Sequence, residues 1–292
     1  MKNLRGSFTA IVTPMNEGEV DYKSLEKLIE FQIVGNIDGI VVCGTTGESA
    51  TLSLREHECV MQYVIERVND RMPVIAGVGA NSTQEAVLLT HIAQNLGVDA
   101  GLSVLPYYNN PSQSGIEEHF LAIANVGLPI ILYDVPSCTV VKALPETVAR
   151  LAEHENIIGI KAASGDVRQI SQIIKSCPQD FSVLSGDDFS CLATMAIGCR
   201  GVISVVSNIV PREVSIMIEY ALTGQFAEAR AMYYNLRGLM DAIFCYPSPA
   251  PVKEALSFMN IITSLEVRLP MNDMDEQSRA QLIIEMKGFG LL

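Results

Sequence analysis

The sequence predicts a (β/α)8 barrel, the TIM-barrel class of α/β proteins, followed by a C-terminal helical extension. The length of 292 residues suits a single barrel of this kind. Eight short runs are almost continuously apolar, which is typical of parallel strands covered on both faces. Segments with a helical period lie between these runs, so strands and helices alternate as a barrel requires.

The strands are predicted at the eight apolar runs, in chain order. The runs are "SFTAIVTP", "DGIVVCG", "MPVIAGVG", "DAGLSVLP", "LPIILYDVP", "NIIGIKA", "FSVLSGDD" and "GVISVVSN". Helical segments such as "YKSLEKLIEFQIVGN" and "STQEAVLLTHIAQNLG" separate them. After the eighth unit the chain reads as helices alone, for example in "QFAEARAMYYNLRGLMDAIF". We therefore predict the barrel over residues 1–224 and the helical extension over residues 225–292.

The charge balance argues against polyanionic partners. Lys and Arg number 20 against 33 Asp and Glu, for a net charge of −13, and no basic run interrupts this balance. Neither nucleic acid nor an anionic membrane is therefore an expected partner. No stretch approaches the ~18 apolar residues of a spanning helix, and the start of the chain is not typical of a signal peptide. We expect a cytoplasmic protein.

The seven cysteines and four histidines are dispersed along the chain. Neither C-x-x-C nor H-E-x-x-H spacing occurs. This pattern indicates reduced thiols and argues against a zinc site. We therefore predict no metal and no cofactor.

Reactive side chains of such barrels gather at the carboxyl ends of the strands. "GTTGES" follows the second strand there, "YDVPS" ends the fifth, and Lys161 ends the sixth. An amine in this position can form an imine with a ketone only when it is neutral, which requires that it be poorly hydrated. The alternative is a structural lysine that reaches solvent or pairs with Asp187 or Asp188.

Two neighbouring motifs bear on this choice. Tyr133 ends the strand beside that of Lys161, where its phenol could transfer protons or could be an ordinary core tyrosine. Thr45 and Thr46 could bind a carboxylate through hydroxyls and amides, or could form a tight turn before a helix. The loops "SGDD" and "SVVSN" carry no glycine-rich phosphate nest, so we do not expect a phosphorylated substrate or a flavin nucleotide.

Six motifs occur together in a recognisable order and spacing. They are "GTTGESATL", "PYYNNPS", "YDVPS", "GIKAASGD", "LSGDD" and "GVISVVSN". In these motifs the chain resembles the pyruvate-dependent class I aldolases of the dihydrodipicolinate synthase and N-acetylneuraminate lyase family. The resemblance extends from "AIVTPM" to "PAPVKEAL", which is nearly the whole chain.

The resemblance implies a Schiff-base mechanism with pyruvate as substrate. It makes Lys161 the residue that condenses with the keto carbon of pyruvate. Thr45 and Thr46 match the pair that holds the pyruvate carboxylate in the family. The residue-based interpretation and the resemblance agree on Lys161.

Further site positions follow from the same resemblance. Thr46, Tyr133 and Tyr108 match a relay of hydroxyl groups that moves protons. Gly186 and Ile203 match positions that line the site. In the family the tyrosine that matches Tyr108 reaches in from the adjacent subunit, which implies a homodimer or a homotetramer.

Within the family, "GTTGES" and "YDVPS" are similar to the branch that makes 4-hydroxy-tetrahydrodipicolinate. This branch condenses pyruvate with L-aspartate 4-semialdehyde in the diaminopimelate route of lysine biosynthesis. A pocket at the dimer interface that binds lysine as feedback inhibitor is implied by six positions, which are Ser49, Ala50, His57, Asn81, Glu85 and Tyr107. The alternative for this set is an ordinary polar interface.

Two positions depart from that branch. Cys138 stands where these enzymes usually carry an arginine for the semialdehyde carboxylate, and Ala162 stands where many relatives carry glutamate. A thiol cannot replace a guanidinium, and a lost charged hydrogen bond costs roughly 1.5–3 kcal/mol unless another cation, such as Arg168 or Arg200, substitutes. Two alternatives follow: another pyruvate aldolase or lyase of the family with a different aldehyde acceptor, or a non-catalytic sensor or partner subunit.

Overall fold

The computed structural model describes residues 4–292, and within them eight parallel strands form a closed barrel. Together with two short strands outside the barrel, β2 and β3, the strands in chain order are β1 (Gly6–Ala10), β2 (Met15–Asn16), β3 (Glu19–Val20), β4 (Gly39–Val42), β5 (Val74–Gly77), β6 (Ala100–Val104), β7 (Ile130–Asp134), β8 (Ile157–Ala162), β9 (Ser182–Ser185) and β10 (Gly201–Ser204). Around the barrel they follow the order β1, β10, β9, β8, β7, β6, β5, β4. Each predicted apolar run contains or overlaps one barrel strand, so the predicted fold class is confirmed.

Strands β2 and β3 form a separate antiparallel hairpin that the sequence analysis did not predict. Its two turn residues, Glu17 and Gly18, have φ angles of 54° and 83°. Positive φ at both positions is the geometry of a tight hairpin turn whose twist matches that of its strands. The hairpin is too short for the alternating pattern that marks longer strands.

Helices connect the barrel strands and form the C-terminal extension. They are α1 (Tyr22–Val34), α2 (Leu54–Val68), α3 (Thr83–Leu96), α4 (Gln113–Ala124), α5 (Pro136–Thr139), α6 (Pro145–Leu151), α7 (Val167–Ser176), α8 (Cys191–Ala196), α9 (Pro211–Leu222), α10 (Phe226–Ile243), α11 (Ala250–Phe258) and α12 (Glu276–Phe289). Local sequence sets their ends: Ser53 and Glu56 form a reciprocal capping box at the start of α2. No helix within residues 4–292 combines the length and low charge needed to cross a bilayer.

The register of β7 and β8 places two predicted site residues side by side. Tyr133 pairs with Lys161, and Asp134 pairs with Ala162. Paired residues of parallel strands project from the same face of the sheet. Gly159 lets β9 approach on the other side, because a Cβ at this position would lie 2.4 Å from the carbonyl oxygen of Ser182.

By internal contacts the chain divides into two compact units. One unit contains Pro73–Ile203 and the segment that ends at Gly6, and the other contains Ser7–Met72 and Ser204–Leu292. Within the second unit, α10 packs against α9, α11 and α12. The predicted boundary at residue 224 falls in the turn between α9 and α10, and as a domain boundary it stays a prediction. Residues 1–3, which the predicted barrel domain includes, lie outside the described residues.

Candidate active site

Lys161 is a buried lysine without a counter-ion in the part of the chain that the structure describes. It lies near the carboxyl end of β8 with 5% of its surface exposed. Among residues 4–292 its amine has no hydrogen bond and no ion pair. Asp187, one of the two acids considered as partners, instead accepts hydrogen bonds from the backbone amides of Phe189 (3.3 Å) and Ser190 (3.0 Å). The ion pair that would make Lys161 a structural residue is not formed.

The neighbour of the Lys161 amine is the ring of Tyr133. Nζ lies 4.2 Å from the ring centroid, over its face. A contact of this kind is worth about 0.5–2 kcal/mol and leaves the amine without an anionic partner. The phenol hydroxyl of Tyr133 has no hydrogen bond to any described residue, although the residue is buried. Within residues 4–292 neither the amine nor the phenol hydroxyl is therefore engaged in a hydrogen bond or an ion pair, and the two side chains are adjacent.

Gly186 provides the space for the stem of Lys161. A Cβ at this position would lie 2.9 Å from both Cγ and Cε of Lys161, and 2.7 Å from Cβ of Ala163. Its amide donates to the carbonyl of Ala162 (2.8 Å), which fixes the loop after β9 against β8. Ile203, the other predicted lining residue, is fully buried in β10.

Thr45 and Thr46 form a turn immediately after β4. The amide of Glu48 donates to the Thr45 carbonyl (3.1 Å), and that of Ser49 donates to the Gly44 carbonyl (3.3 Å). Thr46 is buried and Thr45 is exposed. Neither threonine hydroxyl has a hydrogen bond to the described part of the chain. Two free hydroxyls and a tight turn suit the binding of a small carboxylate.

Glu48 anchors this turn to the C-terminal extension. Its carboxylate forms an ion pair with Lys253 of α11, and both side chains are almost completely buried. The backbone amide of Arg268 donates to the other carboxylate oxygen (3.0 Å). Burial lowers the pKa of Lys253, while Glu48 opposes this shift.

Arg268 extends the same network. Its guanidinium contacts the Glu56 carboxylate at 2.5 and 3.1 Å and the carbonyls of Thr51 (3.0 Å) and Gly18 (2.7 Å). The hydrogen bonds from Arg268 lower the pKa of Glu56 to about 2. The segment before α2 is therefore bonded to the C-terminal extension at several points.

The segment where the acceptor would bind begins with α5. Cys138 lies in α5 with an exposed thiol. Val140, at the end of α5, is exposed and has a φ of 67°, which is a strained conformation for a β-branched residue. Arg200 precedes β10 at its amino end, roughly 13 Å of strand away from the carboxyl end. It therefore cannot replace the missing arginine, whereas Arg168 lies in the first turn of α7 and remains a candidate.

A buried acid holds the far end of this segment. Asp134 accepts hydrogen bonds from the Ala143 amide (3.3 Å) and from Nε2 of Gln169 (3.0 Å). The same Nε2 donates to the Ala143 carbonyl (2.9 Å). Burial raises the pKa of Asp134 from 3.8 to about 6. Asp134 thus directly follows Tyr133 and ties the loop after α5 to α7.

The model for the dihydrodipicolinate synthetase family matches residues 3–287. The chain belongs to this family. A 4-hydroxy-tetrahydrodipicolinate synthase of Desulfotalea psychrophila is 51% identical over 100% of this chain and 99% of that protein. Family membership thus rests on almost the entire length.

Two solved structures of dihydrodipicolinate synthases are similar to this chain in fold and sequence. One, from Acinetobacter baumannii, was solved in complex with pyruvate; it has a TM-score of 0.96 and 44% identity, with 99% of both chains covered. The other, from Cyanidioschyzon merolae, was solved with lysine bound; it has a TM-score of 0.96 and 38% identity, with 99% of both chains covered.

Tyr107 and Tyr108 follow β6 and face outward. Tyr108 is 89% exposed and has a φ of 74°. This conformation is costly for a tyrosine, and its ring contacts little of its own chain. The side chain of Asn109 donates to the Asn81 carbonyl (2.8 Å), which joins the tyrosine loop to the loop after β5.

The remaining positions of the implied lysine pocket lie on two segments. Glu85 is exposed in the first turn of α3, close in sequence to Asn81. Ser49 and Ala50 begin a short 3-10 turn after the threonine pair, and His57 is buried on α2. The structure thus brings Asn81 to the tyrosine loop and keeps Ser49, Ala50 and His57 on the segment that Arg268 holds.

Sequence reasoning missed three residues of the described network. Glu48 lies within the motif "GTTGES" and Lys253 within "PAPVKEAL", but neither was assigned a role. Arg268 was not considered. A signal was present, because Lys253 is a lone cation in a proline-bounded apolar segment, as Lys161 is in its strand. Buried cations of this type need a partner, and the partner of Lys253 lies 205 residues away in the chain.

Proposed function

We propose that the chain is a class I lyase that condenses pyruvate with L-aspartate 4-semialdehyde to 4-hydroxy-tetrahydrodipicolinate. The observation that carries this proposal is the unpaired Lys161 amine over Tyr133, at the carboxyl end of a barrel strand. The relative at 51% identity has this named activity. The pyruvate bound in a related structure supports pyruvate as the first substrate.

In the proposed reaction the Lys161 amine attacks the keto carbon of pyruvate. Water leaves the resulting carbinolamine to give an imine, and loss of a proton from the methyl carbon gives the enamine. The enamine carbon then bonds to the aldehyde carbon of the semialdehyde, whose oxygen takes up a proton. Finally the amino group of the semialdehyde displaces Lys161 and closes the ring.

Three hydroxyl groups serve this sequence in the proposal. Tyr133, Thr46 and Tyr108 pass protons to and from the carbinolamine and the enamine. Thr45 and Thr46 hold the pyruvate carboxylate through free hydroxyls and turn amides. Gly186 and Ile203 line the site, and Gly186 also keeps the space that Lys161 occupies.

Borohydride trapping tests the first half of the proposal. Reduction in the presence of pyruvate should attach a pyruvate-derived group to the peptide that contains Lys161. A coupled assay with the reductase that consumes the product tests the second half, since it requires the semialdehyde. Failure to trap pyruvate on Lys161 would contradict the proposal, and trapping without product would leave only a different acceptor or a sensor.

The acceptor depends on Cys138. The variant Cys138→Arg should raise kcat/KM for aspartate semialdehyde by about tenfold, because a charged hydrogen bond to its carboxylate is regained. An aldehyde without a carboxylate should gain nothing from the same change. If the parent prefers such an aldehyde, the alternative acceptor is correct.

We also propose that the working unit is a homodimer or a pair of dimers, with Tyr108 entering the partner's site. Its exposure and backbone conformation support this role. Lys161→Met and Tyr108→Phe proteins should each be inactive, and refolding them together should restore part of the activity. Restoration fails if each site uses its own Tyr108.

Lysine is the proposed feedback inhibitor, supported by the lysine-bound relative. Asn81→Ala should then lose inhibition by lysine while the KM for pyruvate stays unchanged. The cytosolic location stays a prediction, which cell fractionation would test.

A further inference from the structure

The turn that carries Thr45 and Thr46 ends at a residue with a costly backbone conformation. Glu48 has φ 56° and ψ 35°, in the left-handed region, which costs a residue with a side chain roughly 1–2 kcal/mol. Its amide donates to the Thr45 carbonyl (3.1 Å), and its carbonyl accepts from the Thr51 amide (3.0 Å). The threonine turn therefore closes only while Glu48 keeps this conformation.

Among the described residues, the Glu48 carboxylate is held by the C-terminal extension alone. One oxygen accepts from Nζ of Lys253, and the other accepts from the Arg268 amide (3.0 Å). Lys253 also donates to the Glu266 carbonyl (2.7 Å). Within residues 4–292, both groups that bond to the Glu48 carboxylate thus belong to residues 253–268.

These partners are themselves fixed in place. The Arg268 guanidinium bonds to Glu56, to the Thr51 carbonyl and to the Gly18 carbonyl. Lys253 is completely buried on α11. A displacement of either residue would break several hydrogen bonds. The two partners therefore hold the Glu48 carboxylate in one position.

Stability alone does not explain a buried ion pair at this point. Removing two charges from water costs several kcal/mol per ion, and apolar side chains of similar volume often stabilise a core equally well. What an ion pair adds is direction, because its hydrogen bonds fix where the carboxylate lies. A fixed carboxylate helps to keep Glu48 in its strained backbone conformation, and Glu48 is the last residue of the threonine turn.

We propose that Glu48 and Lys253 are positioning residues for pyruvate, whose ion pair holds the Thr45–Thr46 turn in the conformation that binds the pyruvate carboxylate. This inference rests on the proposed function, because it concerns the same carboxylate. In this role both residues act through the turn and not through a contact with the substrate. The expected signature is weaker binding of pyruvate, with little change in the rate of the later steps or in the KM of the acceptor.

Two variants of the full-length protein test this signature. Glu48→Gln keeps the size of the side chain but loses the negative charge and one of the two acceptor oxygens that Lys253 and the Arg268 amide use, and Lys253→Met removes the cation. Each should raise the KM for pyruvate and the pyruvate concentration for half-maximal borohydride trapping by about tenfold, the equivalent of one lost charged hydrogen bond. The kcat and the KM for the semialdehyde should change by less than about threefold.

A second ion pair in the same extension, in which the glutamate is buried and the arginine is partly exposed, gives a control. Glu254 follows Lys253 in α11, is completely buried, and pairs with Arg279 of α12 at 2.7 Å. Arg279→Met should destabilise the fold and leave the KM for pyruvate unchanged. If it raises this KM as much as Lys253→Met does, the effect is general loosening of the extension and the proposal is wrong.

The outcomes separate the inference from the proposed function. If the parent protein does not trap pyruvate on Lys161, the proposed function fails. If the parent traps pyruvate and Glu48→Gln does so at an unchanged half-saturating concentration, the inference fails instead. Where a single variant does not fold, the double variant Glu48→Gln/Lys253→Met, which leaves no buried charge unpaired, decides the question.

Discussion

The chain buries two lysines in opposite ways. Lys161 lies on a barrel strand over the face of Tyr133 and has no anionic partner in residues 4–292. Lys253 lies on a helix of the extension and forms an ion pair with Glu48. The side chain and the degree of burial are alike, and the partners alone differ. Burial alone therefore does not distinguish the two lysines, whereas the presence of a carboxylate partner within the described residues does.

The surroundings of each lysine explain the difference. The register neighbours of Lys161 are Tyr133 and Leu184, and neither is an acid. Lys253 projects toward a turn whose end residue is a glutamate. The first environment leaves an amine available to a substrate, and the second holds a charge in one position.

The largest expected effect comes from Lys161→Met. Loss of the nucleophile should lower kcat by more than about a thousandfold, because the imine cannot form. The free energy of unfolding should change by less than about 1 kcal/mol, since no ion pair within the described residues is broken and removal of a poorly solvated amine offsets the lost contact with the Tyr133 ring. Urea unfolding measures the second quantity, and a loss of more than about 1 kcal/mol would show that Lys161 is structural.

The substitution of Lys253 by methionine should, in contrast, lower the free energy of unfolding. Lys253→Met leaves the Glu48 carboxylate buried without a cation, which should lower the free energy of unfolding by about 3–5 kcal/mol. The double variant with Glu48→Gln should recover part of this loss, because no charge then remains unpaired. If Lys161→Met and Lys253→Met were equally stable in urea, the two lysines would not differ in their contribution to folding, and the comparison would be wrong.

Asp134 is a third buried charge, and it sharpens the comparison through pH. Its pKa is raised from 3.8 to about 6, mainly by burial. Between pH 4 and 6 the folded protein keeps a proton that the unfolded chain has released, so this group lowers stability as the pH rises through that window. The total is on the order of 3 kcal/mol and is constant above pH 6.

Asp134→Asn should remove this dependence. The amide cannot ionise, so the variant should be more stable than the parent at pH 7 and should approach the parent near pH 4. The difference between the two urea unfolding curves, measured from pH 4 to 8, isolates this group from all others that titrate. A difference that does not change with pH would mean that Asp134 is charged throughout.

Local signals allowed the fold class to be predicted and several candidate site residues to be named. Continuous apolar runs marked the barrel strands, and a lone cation in one of them marked Lys161. The free hydroxyls of Thr45, Thr46 and Tyr133 agree with the predicted carboxylate cradle and relay, but their roles stay predictions.

What could not be predicted depends on contacts between distant residues. The sequence left Asp187 open as a partner of Lys161, and only the geometry shows that its carboxylate bonds to backbone amides. Arg200 was wrong as a substitute cation because it lies at the amino end of β10, away from the carboxyl end where the substrate would bind. The sequence alone did not fix on which end of the strand it lies. The pairing of Glu48 with Lys253 joins residues that no periodicity relates.

The smallest expected effect tests whether Lys161 needs its free space. Gly186→Ala places a Cβ 2.9 Å from two carbons of the lysine stem and 2.7 Å from Ala163, closer than such contacts normally allow. The lysine must shift, so kcat should fall about tenfold, and stability should fall by about 1–2 kcal/mol from overpacking. Gly115→Ala is the control, since its Cβ would have only ordinary contacts, the nearest at 3.5 Å. An alanine there should leave kcat unchanged, and a parent-like kcat for Gly186→Ala would show that the unpaired lysine has more freedom than its surroundings indicate.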